Sequence, residues 1–125
     1  MTLTHSVAAD RLIQYLDSGN LLRGGWCRGT RGPDGYEYAC ALVAMVPDVG
    51  DGDYSACPAS LLPPWMARMT PWFDDAGSND AHPTKIRRLA ACIRRSGSLT
   101  PEQWIKLDYT FRRVAVTEAR THCPA

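Results

Sequence analysis

The residues of this chain best suited to catalysis are two thiols, an imidazole and two carboxylates. A cysteine near a helix start is activated by the helix field, so Cys27 or Cys40 could be a nucleophile with His82 as its base and Asp74 or Asp80 orienting the imidazole. Such a set would serve a thiol-dependent hydrolase or an acyl transferase. Against this, Cys40 lies in Tyr38-Ala39-Cys40-Ala41-Leu42, where a buried free thiol behaves as a small hydrophobe. The catalytic set therefore stands as the alternative reading, behind one built on binding.

Metal ligation has weaker support. There is no Cys-x-x-Cys or His-x-x-x-His pair, and His122-Cys123 lies in the C-terminal tail. Asp48, Asp51 and Asp53 resemble the start of a calcium loop, but Ala56 stands where that loop needs glycine and Leu62 where it needs a bidentate glutamate. A solvated acidic turn is expected, with neither metal nor cofactor.

Charge is a better guide. Residues 1–47 carry four basic and four acidic side chains, residues 48–80 one and six, and residues 81–125 nine and three, so the segments hold 0, −5 and +6. The last segment concentrates Lys85, Arg87, Arg88, Arg94 and Arg95 around a narrow apolar stripe, with Arg112, Arg113 and Arg120 following. If the two helices that carry them pack side by side, their outer faces form one positive patch able to meet phosphates or the carboxylates of a protein. The opposing expectation is that the acidic stretch from Asp48 to Asp80 neutralises the patch internally. No zinc finger, single-strand RNA signature or helix-turn-helix is present, so nucleic acid is only one form of such a partner. Leu61–Phe73 adds Trp65, Trp72, Met66 and Met69, more apolar surface than a short helix needs, which reads as a contact for another chain.

These residues need elements to hold them. The chain of 125 residues suits one domain, with the termini 1–5 and 121–125 expected as mobile tails, and its 45% hydrophobic and 22% charged residues lie in the globular range. The longest apolar run, Ala39 to Pro47, is far short of the roughly 20 residues of a membrane span. The N-terminus has no secretory pattern, which predicts a cytoplasmic protein. Five cysteines at irregular spacings argue against a disulfide framework.

Periodicity predicts helices over 7–18 with Ser6 as cap and Gly19 as stop, over 36–46, from a Ser60 cap to Pro71, over 84–95, and over 101–120 behind a Thr100–Gln103 capping box. The last of these carries an apolar stripe of Trp104, Leu107, Phe111 and Val114. Between Arg23 and Gly35 five glycines and a proline surround Trp26-Cys27, predicting a loop or a short hairpin across 24–38 around an anchored tryptophan. The expected fold is all-α, a small orthogonal bundle of about five helices with room for that hairpin.

The order of Trp26-Cys27-x-Gly29, then Cys40-Ala41 opening an Ala-rich segment, then Trp72-Phe73-Asp74-Asp75 before a further helix, resembles a family of small uncharacterised proteins of bacteria and their phages. That family shows Trp-Cys-x-Gly, Cys-Ala-x-Gly-Ala and Trp-Asn-Asp in the same order. The likeness spans residues 7–95; Val43 departs from the second motif, and Phe73 and Asp74 from the third. It implies no activity, only a phage or mobile-element context. Together these features predict a non-enzymatic binder of macromolecules, such as an inhibitor of a nucleic-acid-handling defence complex. Its partner would be a protein, or nucleic acid directly, with no membrane involved.

Overall fold

The computed structural model describes the backbone of residues 3–75 and 77–122. Side chains are described as far as Thr110, apart from residue 76, and then at Arg112, Arg113 and Thr117. The element order is α1 (His5–Asp17), β1 (Cys27–Gly32), β2 (Gly35–Ala39), α2 (Ala41–Met45), two single 3-10 turns, α3 (Pro64–Asp75), α4 (His82–Ser96) and α5 (Pro101–His122). The protein is thus mostly α, with five helices and one antiparallel hairpin.

α2 forms the centre. All five of its residues are buried, and α1, α3 and β2 pack around it. Its shortness corrects the expected helix over 36–46. Tyr36–Ala39 is a strand instead, because Cys27 and Arg28 pair with Ala39 and Tyr38 in the hairpin and Leu21 bridges to Ala39 from the other side. An apolar run of this length is equally suited to a buried strand followed by a helical turn.

α1 starts earlier than expected, because Thr4 rather than Ser6 caps it by accepting from the Val7 N–H at 3.1 Å. Ala8, Ala9 and Leu12 give it a narrow buried face, and Arg11 donates from Nε to the Ala44 carbonyl at 2.9 Å, satisfying the end of α2. The expected tails, 1–5 and 121–125, are shortened, since Thr4 and His5 already form the cap and start of α1 and Thr121 and His122 belong to α5; Met1, Thr2 and residues 123–125 lie outside the described residues.

Pro71 does not end its helix. α3 begins at Pro64, well after Ser60, and runs through Pro71 to Asp75. A mid-helix proline removes one hydrogen bond and crowds the preceding turn at a cost of about 3 kcal/mol. Here Ala67, Thr70 and Asp74, at i, i+3 and i+7, form a buried inner face that keeps the second half of the helix in place.

α4 opens on His82 with Pro83 in its first turn and stops before Gly97. α5 has the expected reciprocal cap: Thr100 Oγ accepts from the Gln103 N–H at 3.2 Å, and Gln103 Oε1 from the Thr100 N–H at 2.8 Å. Among the described residues α5 makes no extended contact with another element, and its Leu107 alone lines a groove shared with α3 and α4. Phe111, Val114, Arg120 and His122-Cys123 lie outside the described side chains.

Candidate binding groove

The end of α3 is where the chemistry-bearing residues meet. Asp74 is wholly buried; its Oδ1 pairs with His82 Nε2 at 2.7 Å and its Oδ2 accepts from the Ala41 N–H at 3.1 Å. One carboxylate therefore ties the starts of α2 and α4 to the last turn of α3. The terminal carbonyls of α3 are met by cations. Arg23 donates to Asp74 O at 3.1 Å, Asp75 O at 2.9 Å and Gly77 O at 3.0 Å, and Lys85 Nζ donates to Phe73 O. Positive charge at a helix C-terminus opposes the negative end of the macrodipole. Burial, followed by the nearby Arg23 charge, lowers the Lys85 pKa.

Of the catalytic set, the structure brings His82 and Asp74 together, while Asp80 is exposed and joins no ion pair among the described residues. Cys40 is adjacent to this pair, being the residue before Ala41, but no hydrogen bond joins it to His82 among the described residues. Cys40 is 3% exposed, and burial, reinforced by the Asp74 charge against the pull of two backbone N–H groups, pushes its thiol up to about 11. Cys27 bonds Asp51 at 3.4 Å, and burial and then that carboxylate raise its pKa as well. Both thiols are held in the protonated, poorly nucleophilic form. The arrangement is that of a polar clamp inside a core.

The acidic turn is also structural. Asp48 pairs with Arg31, Asp51 with Cys27, and Asp53 caps a 3-10 turn through the Ser55 N–H at 3.2 Å. No cluster able to hold a metal ion exists among the described residues. Gly52, with φ 125°, lies under Trp26, where a Cβ would come within 3.2 Å of the indole; Trp26 in turn meets Tyr54 edge-on at 5.6 Å. This is the anchored tryptophan that the glycine-rich segment predicts.

The expected positive patch is divided. Arg87 pairs with Asp17 at 2.7 Å and Arg94 with Asp10, both across the α1–α4 contact, and Arg112 pairs with Asp108 in its own helix at 2.7 Å. Neutralisation comes from α1 and α5, not from the acidic stretch 48–80. Arg88, Arg95 and Arg113 are exposed and have no carboxylate partner among the described residues. By helical geometry Lys85, Arg88, Cys92 and Arg95 share the flank of α4 opposite to that of Arg87 and Arg94.

That flank borders a groove of about 710 Å3 between α3 and α4, closed at one end by Leu107 of α5. Trp65, Met66, Met69 and Phe73 line it from α3, and Leu89 and Cys92 from α4. Lys85 and Arg88 supply its charge, and no acidic residue lines it among the described residues. Trp72, two turns from Trp65 along α3, is 74% exposed and does not line the groove. The groove thus gathers Trp65, Lys85 and Arg88 from the residues expected to bind, and leaves Arg87, Arg94, Arg95, Arg112, Arg113 and Trp72 outside its lining. Sequence reasoning missed Met66, Met69, Thr70 and Phe73 as one face, although their i, i+3, i+4, i+7 spacing states it once the helix is allowed to pass Pro71.

No helix among the described residues is long and apolar enough to cross a membrane. Comparisons with protein-family models, curated proteins and solved structures find no match.

Proposed function

We propose that this chain is a non-enzymatic protein-binding module whose working surface is the α3–α4 groove. Its occupant is an amphipathic helical segment of another protein, with an apolar stripe flanked by carboxylates. The observation that carries the reading is the charge asymmetry of the groove: an apolar floor of Trp65, Met66, Met69 and Phe73, cations at Lys85 and Arg88, and no acidic residue in the lining among the described residues. A helix laid in an apolar groove is a recurrent mode of peptide recognition, and flexible methionines suit such a surface. The cationic side would select acidic flanks and fix the direction of the bound segment.

The resemblance to small phage and bacterial proteins supports a mobile-element setting, in which the occupied segment would belong to a host complex that handles nucleic acid. Direct phosphate binding has less support, because Arg87, Arg94 and Arg112 each already face an aspartate of this chain. A thiol-dependent hydrolase or transferase has less still, because Cys27 and Cys40 both resist ionisation.

The test is selection of displayed random helical peptides on the full chain, with counter-selection on Met69→Glu. The expected winners share apolar residues at i, i+3 or i+4 and i+7, flanked by Asp or Glu, and lose affinity for Arg88→Glu. Enrichment without an acidic bias, or winners that bind Met69→Glu equally well, would refute the groove as the site.

A further inference from the structure

Among the described residues, α5 is only sparsely covered by its own domain. It runs for 22 residues, roughly 33 Å, yet meets the rest of the molecule as one wall of the groove at Leu107 and makes no extended contact with another element among the described residues. On the flank opposite Leu107, Ile105 is 70% and Tyr109 66% exposed, one turn apart. A helix secured near one end gains stability from a packing partner, and the adjacent exposed Ile and Tyr side chains give this flank an apolar face on which one could pack.

The charges of α5 identify what covers it. Residues 101–111 hold Glu102 and Asp108 against Lys106, a net −1, and residues 112–122 hold Arg112, Arg113 and Arg120 against Glu118, a net +2. A parallel pair of such helices sets each half against its like. An antiparallel pair sets each half against its opposite, and opposes the macrodipoles as well. The helix is therefore complementary to itself read in reverse.

We propose that α5 is a dimerisation element: a second copy of this chain pairs its α5 antiparallel to the first through the Ile105–Tyr109 flank, about a two-fold axis near residues 111 and 112. A closed two-fold pair uses the same patch on both copies and leaves no open surface for fibre growth. Because Leu107 forms part of the groove wall, the pairing also fixes that wall. The proposal itself rests on α5 alone and does not require the groove to have a ligand.

Sedimentation equilibrium of the full chain over a wide concentration series tests it. The wild type is expected to be a dimer that weakens with salt, and Ile105→Glu with Tyr109→Glu to weaken it by at least about 100-fold, with the thermal transition of the helical core retained. Disulfide trapping fixes the direction, in a background with Cys27, Cys92 and Cys123 replaced by Ser. Arg112→Cys, near the axis, should cross-link between copies, whereas Ile105→Cys should not, its two copies being roughly 20 Å apart along the helices. A wild type that is monomeric throughout, as expected if α5 folds onto its own groove, overturns the proposal; so does a dimer that survives the double substitution. Cross-linking of both cysteine variants would overturn the antiparallel arrangement. Peptide selection on the groove reads out separately: a dimer without peptide enrichment refutes the groove, and enrichment on a monomer refutes the dimer.

Discussion

The two faces of α3 are opposite in chemistry and in the work they do. Its inner face ends in Asp74, a buried carboxyl group with each oxygen assigned a partner: His82 on one side and the Ala41 N–H on the other. Its outer face presents Met66, Met69 and Phe73, apolar groups left half-buried along an open groove. Hydrophobicity alone would assign the reverse roles, with the methionines as core and the aspartate as active site. The difference teaches that satisfaction decides the role. A polar group with all its bonds made inside the fold has none left to offer a ligand, and an apolar face only partly covered by the core has contacts still to make.

The largest test of this contrast is Asp74→Ala. Removing the carboxylate leaves a buried imidazole and a buried N–H unpaired, and the chain should lose about 3–5 kcal/mol of stability, measured by urea unfolding. Asp74→Asn keeps the shape and should lose less. A loss under about 1 kcal/mol for the alanine variant would mean that the clamp is not what joins the three helices. The second test uses pH. Cys40 ionises near 9.0 when unfolded and at about 11 when folded. Its contribution is therefore fully present below pH 9 and is lost as pH rises through about 11; the full range is about 2–3 kcal/mol. Urea midpoints at successive pH values should fall more steeply for wild type than for Cys40→Ala above pH 9. Parallel curves would show that the thiol is hydrated in the fold.

Much of this structure is legible in the sequence, and the failures share a cause. The capping box at Thr100, the helix start at Pro83 and the anchored Trp26 depend on neighbours within a few residues, and periodicity or turn chemistry finds them. The hairpin across 24–38 is also open to the sequence, in competition with a helix over 36–46 for Tyr36–Ala39, and pairing with Cys27–Arg28 decides it; the passage of α3 through Pro71 depends on the partners of Asp74, Ala41 and His82, which local propensity does not register. The groove was hidden by the same error, since ending the helix at Pro71 separates Phe73 from Met66 and Met69. The positive patch failed differently. Asp10 and Asp17 repeat at seven residues, as do Arg87 and Arg94, and that matched spacing was available as a sign that two helices pair along those flanks.

On the outer face of α3 the expected effects on folding are small and those on binding large. Met69→Glu should change unfolding stability by no more than about 0.5 kcal/mol, because the side chain is already partly hydrated, while removing binding of any peptide selected on the groove. A large loss of stability would show instead that Met69 is core. The smallest effect concerns the two flanks of α4, one paired to α1 and one facing the groove. Asp10→Ala breaks an exposed ion pair with Arg94, worth about 0–1 kcal/mol and less at high salt. Its informative consequence is electrostatic: Arg94 is released, and the flank turned toward α1 gains a free cation. If acidic peptides are read only by Lys85 and Arg88, their affinity for Asp10→Ala should match wild type at physiological salt in a fluorescence-anisotropy titration. Tighter binding would mean that the ligand reaches across α4, and that the division of its charges between folding and recognition is less complete than the ion pairs imply.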